Sequence, residues 1–178
     1  LNLFFPETET FKQYKHNARN PATLSNDFIY SCIYEDHKGV LWIGTYGGGL
    51  NKFDPETEKF VRFAHSAGNT NTISDDKVFS IVQDAKGVFW IATNAGLDSF
   101  EPEQNRFTHF NTSCGLPNNT VYGILPETDL QGFWLTTNNG ISRFDLKTKT
   151  FANFTTEDGL QSIEFNGGAF HVGASGRM

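Results

Sequence analysis

Leu41-Trp42-Ile43-Gly44-Thr45 decides the fold, because the chain writes this pattern three times. Phe89-Trp90-Ile91-Ala92-Thr93 and Phe133-Trp134-Leu135-Thr136-Thr137 are the other two copies, with the tryptophans 48 and 44 positions apart. A period of about 20–50 residues marks an architecture of stacked units, each too small to bury its own apolar face. The register runs outward from the tryptophans. Leu50-Asn51-Lys52-Phe53-Asp54-Pro55, Leu97-Asp98-Ser99-Phe100-Glu101-Pro102 and Ile141-Ser142-Arg143-Phe144-Asp145-Leu146 follow, and Leu1-Asn2-Leu3-Phe4-Phe5-Pro6 is a fourth copy of this half. Further aromatics recur at Phe11, Phe60, Phe107 and Phe151, and at Tyr14, Phe63, Phe110 and Phe154. Each unit restarts at Leu24-Ser25-Asn26, Ile73-Ser74-Asp75, Leu116-Pro117-Asn118 and Leu160-Gln161-Ser162.

The chain therefore divides into a half unit (1–23), three full repeats (24–72, 73–115, 116–159) and a partial final repeat (160–178). Gly176-Arg177-Met178 matches Gly39-Val40-Leu41, so a cut through a strand of a larger ring is expected.

Each repeat offers four short strand-like runs. In the second full copy they are 78–83, 88–93, 97–100 and 106–110. Four strands in about 45 residues, separated by regular turn signals, predict an all-β fold of four-stranded antiparallel β-propeller blades. Asp36-His37-Lys38-Gly39 and Asp84-Ala85-Lys86-Gly87 read as type I turns, Asp capping through its side chain and Gly taking the left-handed position. Asp129-Leu130-Gln131-Gly132 keeps the spacing, with slipped flanks. Pro55 pre-sets a later turn in Asp54-Pro55-Glu56-Thr57. Val40-Leu41-Trp42-Ile43 does not alternate apolar with polar, which predicts a strand buried on both faces between neighbouring blades. The aromatic content of 15% supplies that inter-blade layer. Gly47-Gly48-Gly49, with Gly96 and Gly140 in later copies, is read as a bulge or close backbone approach; no helix or Lys follows it as a phosphate loop requires.

On these residues the chain resembles the two-component regulator propeller repeats. The resemblance rests on 33–45 with Gly48-Gly49-Leu50-Asn51-Lys52-Phe53, on Thr93-Asn94-Ala95-Gly96-Leu97, and on 137–145. The stretch 158–169 is similar to the last repeat of such propellers, ahead of a β-sandwich and a membrane helix. The resemblance implies a periplasmic, ligand-sensing ectodomain of a hybrid two-component histidine kinase, or of a diguanylate cyclase. It also implies an oligosaccharide or other small polar ligand, with adjacent blades and the downstream sandwich as partners. A second reading is a propeller lyase of the streptogramin-inactivating type, and a third is a structural fragment with no ligand site of its own.

The net charge of −6, with 14 Lys and Arg scattered singly, argues against nucleic acid as a partner. No run of about 20 apolar residues occurs, so no membrane contact is expected within the segment. Cys32 replaces Ser80 of the next repeat and is expected to be a small buried residue. Cys114 sits in a connection nearly two repeats away, and no disulfide between the two is expected. His16, His37, His65, His109 and His171 share no metal-ligand spacing, and neither a metal nor a cofactor is expected. His109, between Phe107 and Phe110, is expected at the surface of the outer strand. Asp36, Asp84 and Asp129 recur in one environment, whereas a catalytic carboxylate pair needs two.

Recurring residues are thus scaffold: Trp42, Trp90, Trp134, Asp36, Gly39, Asp84, Gly87, Gly49, Gly96 and Gly140. Recognition is expected where copies differ at loop tips. The candidates are Tyr46, Asn94, Asn138 and Asn139 after the Trp strands, with Asp27, Asp76 and Asn119 at the repeat starts. Open apolar blade faces predict self-association of the segment alone.

Overall fold

The computed structural model describes residues 1–30, 32–168, 170 and 171. Three four-stranded antiparallel sheets and one two-stranded sheet follow one another along the chain. The half blade holds β1 (Asn2–Phe5) and β2 (Thr10–Gln13). Blade 1 holds β3 (Ile33–Glu35), β4 (Leu41–Gly44), β5 (Leu50–Asp54) and β6 (Lys59–Phe63). Blade 2 holds β7 (Val78–Gln83), β8 (Phe89–Thr93), β9 (Gly96–Glu101) and β10 (Arg106–Phe110). Blade 3 holds β11 (Val121–Pro126), β12 (Gly132–Thr137), β13 (Gly140–Asp145) and β14 (Phe151–Phe154). Each blade is an up-and-down meander whose neighbours in sequence are its neighbours in the sheet. The propeller reading holds, as an arc of blades; β8 begins one residue later than expected, and β9 runs one further at each end.

The tryptophans form the inter-blade layer. Trp42 packs on Phe89 of blade 2 with ring centroids 4.4 Å apart, and Trp90 packs on Phe133 and Phe144 of blade 3 at 5.5 and 5.2 Å. Both are buried, as is Ile43 beside Trp42. Trp134 touches Phe154 of its own blade at 5.4 Å and is half-buried, since its outward face has no following blade to meet among the described residues. At the other end Tyr14 packs edge-on against Phe53 of blade 1, while Phe4 and Phe11 stack on each other and stay exposed.

The first turn explains why Asp and Trp recur together. Asp36 Oδ1 accepts from the backbone of Lys38 and Val40, and its Oδ2 accepts from Trp42 Nε1 at 2.9 Å. Asp84 repeats this with Lys86, Val88 and Trp90 Nε1. These donors outweigh the desolvation of Asp36 and hold its carboxyl below the ordinary Asp range. Gly39 and Gly87 take the left-handed position, at φ +76° and +82°.

The third turn corrects the sequence reading. Glu127, not Asp129, occupies the place of Asp36, because its backbone N–H closes the hairpin on Gly132 across a loop one residue longer. Leu130 then takes the left-handed position at φ +56°. Glu127 makes a two-pronged ion pair with Arg143 Nε and Nη2, at 2.6 and 2.8 Å.

The glycines after the Trp strands permit the expected close approach: a Cβ on Gly49, Gly96 or Gly140 would collide with the carbonyl of Phe63, Phe110 or Phe154. Cys32 is buried and its thiol is pushed up to about 12 by desolvation, while Cys114 is exposed; both are free. The reading of Gly176-Arg177-Met178 as a new strand lies outside the described residues.

Candidate ligand-binding face

Topology sorts the loops onto two ends of the arc. The connections between blades, the starts of β3, β7 and β11 and the turns after β4, β8 and β12 share one end. The Asp-capped turns and the hairpins following β5, β9 and β13 share the other.

On the first end, a bulge breaks the pairing of the inner strands of blades 2 and 3. Val78 and Ser80 face Thr93 and Ala92, leaving Phe79 as the extra residue, and Val121 and Gly123 leave Tyr122 in the same way. A bulge re-aims the side chain it carries. Tyr30 holds the corresponding place ahead of β3. The three rings run from blade to blade, Tyr30 to Phe79 at 6.1 Å and Phe79 to Tyr122 at 5.0 Å. Tyr46, on the turn after β4, lies 6.1 Å from both Tyr30 and Phe79 and 5.4 Å from Phe28. Lys77 Nζ stands 4.9 Å above the Tyr46 ring, a cation–π geometry. Phe79 is buried, whereas Phe28, Tyr30 and Tyr46 are exposed at 54, 44 and 36%. The segment after blade 3 returns to this face, with Gly167 against Tyr30 and Phe170 over Gly123.

The candidates named from sequence divide in two. Tyr46 belongs to the aromatic face, and Asn94 lies at the next turn, within 3.5 Å of Asp75 Oδ2 and of Thr120 Oγ1 on blade 3. Asn138 is half-buried on the third turn, and Asn139 Nδ2 donates to the Pro117 carbonyl. Asp27, Asp76 and Asn119 instead hold the connections: each accepts, at 2.7–2.9 Å, from the backbone N–H of His16, His65 or Thr112.

Sequence reasoning missed a second recurring set, the polar residues on the third strands. Asn51, Asp98 and Ser142 are all buried. Asn51 and Asp98 accept from the backbone N–H of Ser25 and Ser74, tying each strand to the connection that leads into its blade. Across the register on the outer strand stand Arg62, His109 and Asn153. Arg62 donates to the carbonyls of Asn20, Thr23 and Leu24. Asn153 donates to Gly115. His109 is not the plain surface residue expected: its Nδ1 meets Asp98 Oδ1 at 2.7 Å and its Nε2 meets the Thr70 carbonyl at 2.9 Å. The Asp98 hydrogen bond and charge raise the His109 pKa above its ordinary value, against the effect of burial.

The family model for two component regulator propellers matches residues 23–47 and 72–95. Each match runs from a repeat start, through the inner strand and the Trp strand, to the turn carrying Tyr46 or Asn94. These two stretches match the two-component regulator propeller repeat. Among solved structures, these propeller blades are similar to the extracellular domain of hybrid two component system BT3049 from B. thetaiotaomicron, with 20% identity and a TM-score of 0.73. That match covers 83% of this chain and 21% of that one. The extracellular domain of hybrid two component system BT4673 from the same organism gives 22% identity, a TM-score of 0.70, and coverage of 84 and 21%. Virginiamycin B lyase from Staphylococcus aureus gives 17% identity and a TM-score of 0.58, covering 84% of this chain and 46% of the lyase. These likenesses show the propeller fold, and the chain spans about a fifth of the length of the first two. No curated protein matches.

Proposed function

We propose that this segment is part of the periplasmic ligand-sensing propeller of a hybrid two-component histidine kinase that regulates transcription. Its ligand is an oligosaccharide or other small polar molecule, bound on the aromatic face. One observation carries the assignment: Tyr30, Phe79 and Tyr122, the last two on bulges, form a row of rings from blade to blade at one end, beside exposed Tyr46 and Phe28. Exposed aromatic rings stack on the apolar faces of sugar rings, while Lys77, Asn94 and Asp75 at the rim offer donors and acceptors to hydroxyls. The convergent rings and rim groups support recognition as the reading.

Titration calorimetry against an oligosaccharide panel tests this site. Tyr30→Ala and Tyr46→Ala are each expected to weaken binding roughly fivefold to tenfold, the worth of one stacked ring. Phe11→Ala, on the distant half blade, is expected to leave it unchanged. A triple Tyr30, Tyr46 and Asn94 to Ala variant that binds like the unaltered chain would remove the assignment.

The exposed Phe4–Phe11 pair, flanked by exposed Leu3 and Phe5, is the kind of apolar face that packs against another blade. Adjoining blades of the parent protein are its proposed partner. The segment alone is expected to self-associate, and Phe11→Glu to shift it toward the 19.9 kDa monomer in light scattering. Monodisperse monomer for the unaltered chain is the contrary result.

A further inference from the structure

Connections 1 and 2, which lead into blades 1 and 2, share a frame of equivalent bonds. His16 and His65 each place Nδ1 on the carbonyl of Leu24 or Ile73. Thr23 and Thr72 each place Oγ1 on the carbonyl of Asn20 or Asn69, and each hydroxyl accepts from the backbone N–H of Asn17 or Ser66. In connection 1 this frame holds a guanidinium. Arg62 donates through Nε to the Thr23 carbonyl at 2.7 Å, and through Nη2 to Asn20 O, Thr23 Oγ1 and Leu24 O at 2.9–3.1 Å.

In connection 2 the residue facing the frame is the shorter His109, whose ring turns to Asp98 and Thr70 instead. A cavity of about 310 Å³ lies there, and the counterparts of the Arg62 acceptors, Asn69, Thr72 and Ile73, all line it. Gly68, where connection 1 has Arg19, leaves its mouth open. Carbonyl and hydroxyl oxygens in this arrangement suit a planar donor fork.

We propose that the cavity of connection 2 binds a guanidinium or primary ammonium group from another molecule, in the position that Arg62 fills in connection 1. The arginine or lysine side chain of a partner protein is the occupant of that chemistry. The titratable groups around the cavity are His109 and His65 on its wall, Asp98 behind His109, and Asp76 on the His65 backbone N–H. An imidazolium at His109 repels the incoming cation, so binding strengthens as pH rises and His109 loses its proton. This site is formed by connection 2 with His109 of the outer strand, and none of the rings of the aromatic face lines it.

Ligand-observed saturation-transfer NMR, which tolerates self-association, tests the proposal with capped arginine and its neutral isostere, capped citrulline. Capped arginine is expected to saturate in the millimolar range, at least tenfold tighter than citrulline, and to bind more tightly at pH 8 than at pH 6. His109→Arg is expected to abolish binding by filling the cavity from within. Asp98→Asn with His109→Arg copies the Asn51 and Arg62 pair, and serves if the single variant does not fold. Equal response to both probes, no saturation, or full binding by a folded His109→Arg variant overturns the proposal.

Discussion

Replacing Trp90 with alanine is expected to destabilise the chain by about 3–5 kcal/mol, the range for deleting a large buried aromatic. The same change at Trp134 is expected to cost less than half as much. The two tryptophans occupy one repeat position, so the contrast isolates what the neighbouring blade contributes. Trp90 is buried among Phe110, Phe133 and Phe144, at 5.8, 5.5 and 5.2 Å. Lys149 Nζ lies 4.4 Å over its ring, and burial there lowers the lysine pKa. Its removal leaves a cavity between blades 2 and 3, and takes from Asp84 Oδ2 its indole donor. Asp84 Oδ1 keeps both backbone N–H donors, so the turn itself survives. Trp134 has only Phe154 at 5.4 Å among these rings, and the turn before it holds Glu127 paired to Arg143. Thermal unfolding by circular dichroism reads the difference, a Tm lowered by roughly 10 °C for Trp90→Ala. Hydrogen exchange should show blades 2 and 3 loosening first, since stability in stacked repeats resides at nearest-neighbour interfaces. Equal losses at the two positions would remove the interface from the explanation.

Apolar periodicity and turn residues made the blades legible because they are local: a doubly buried strand, an Asp, and a Gly three residues on. What the sequence hid depends on pairing across strands. The indole bond from Trp42 to Asp36 spans a hairpin, and no run of residues announces it. The Glu127 turn was misread because one extra residue brought Asp129 into the expected frame. The aromatic face did carry a signal. Tyr30, Phe79 and Tyr122 each fall six positions after a repeat start, at Leu24, Ile73 and Leu116. An aromatic residue in an inner strand reads as plain core unless the bulge that re-aims it is known. The candidates Asp27, Asp76 and Asn119 have the composition of binding residues, yet each accepts a backbone N–H of its own connection. Short polar side chains serve both roles, and only geometry separates them.

The His109 clasp should make blade 2 lose stability with rising pH. Both ring nitrogens face acceptors, Asp98 Oδ1 and the Thr70 carbonyl, so the imidazolium makes both bonds and the neutral ring only one. The folded pKa is accordingly raised. A raised pKa places the stabilisation fully below the unfolded value, about 6.5 for histidine, and removes it as pH climbs through the folded one. The Tm is therefore expected to fall between pH 6 and pH 8. That slope should vanish when Asp98→Asn and His109→Arg together install the pair that blade 1 uses at Asn51 and Arg62. His109→Ala is expected to cost about 3 kcal/mol at pH 6, the penalty for stripping a buried carboxylate of its counter-charge. Asp98 is wholly buried and would keep only the Ser74 N–H. Blade 3, with neutral Ser142 and Asn153 at these positions, supplies the internal control. Its amides should exchange at rates that follow ordinary pH dependence, while those of connection 2 accelerate beyond it. A Tm slope from pH 6 to 8 that is the same in the double variant would place the titration elsewhere and leave His109 a structural residue only.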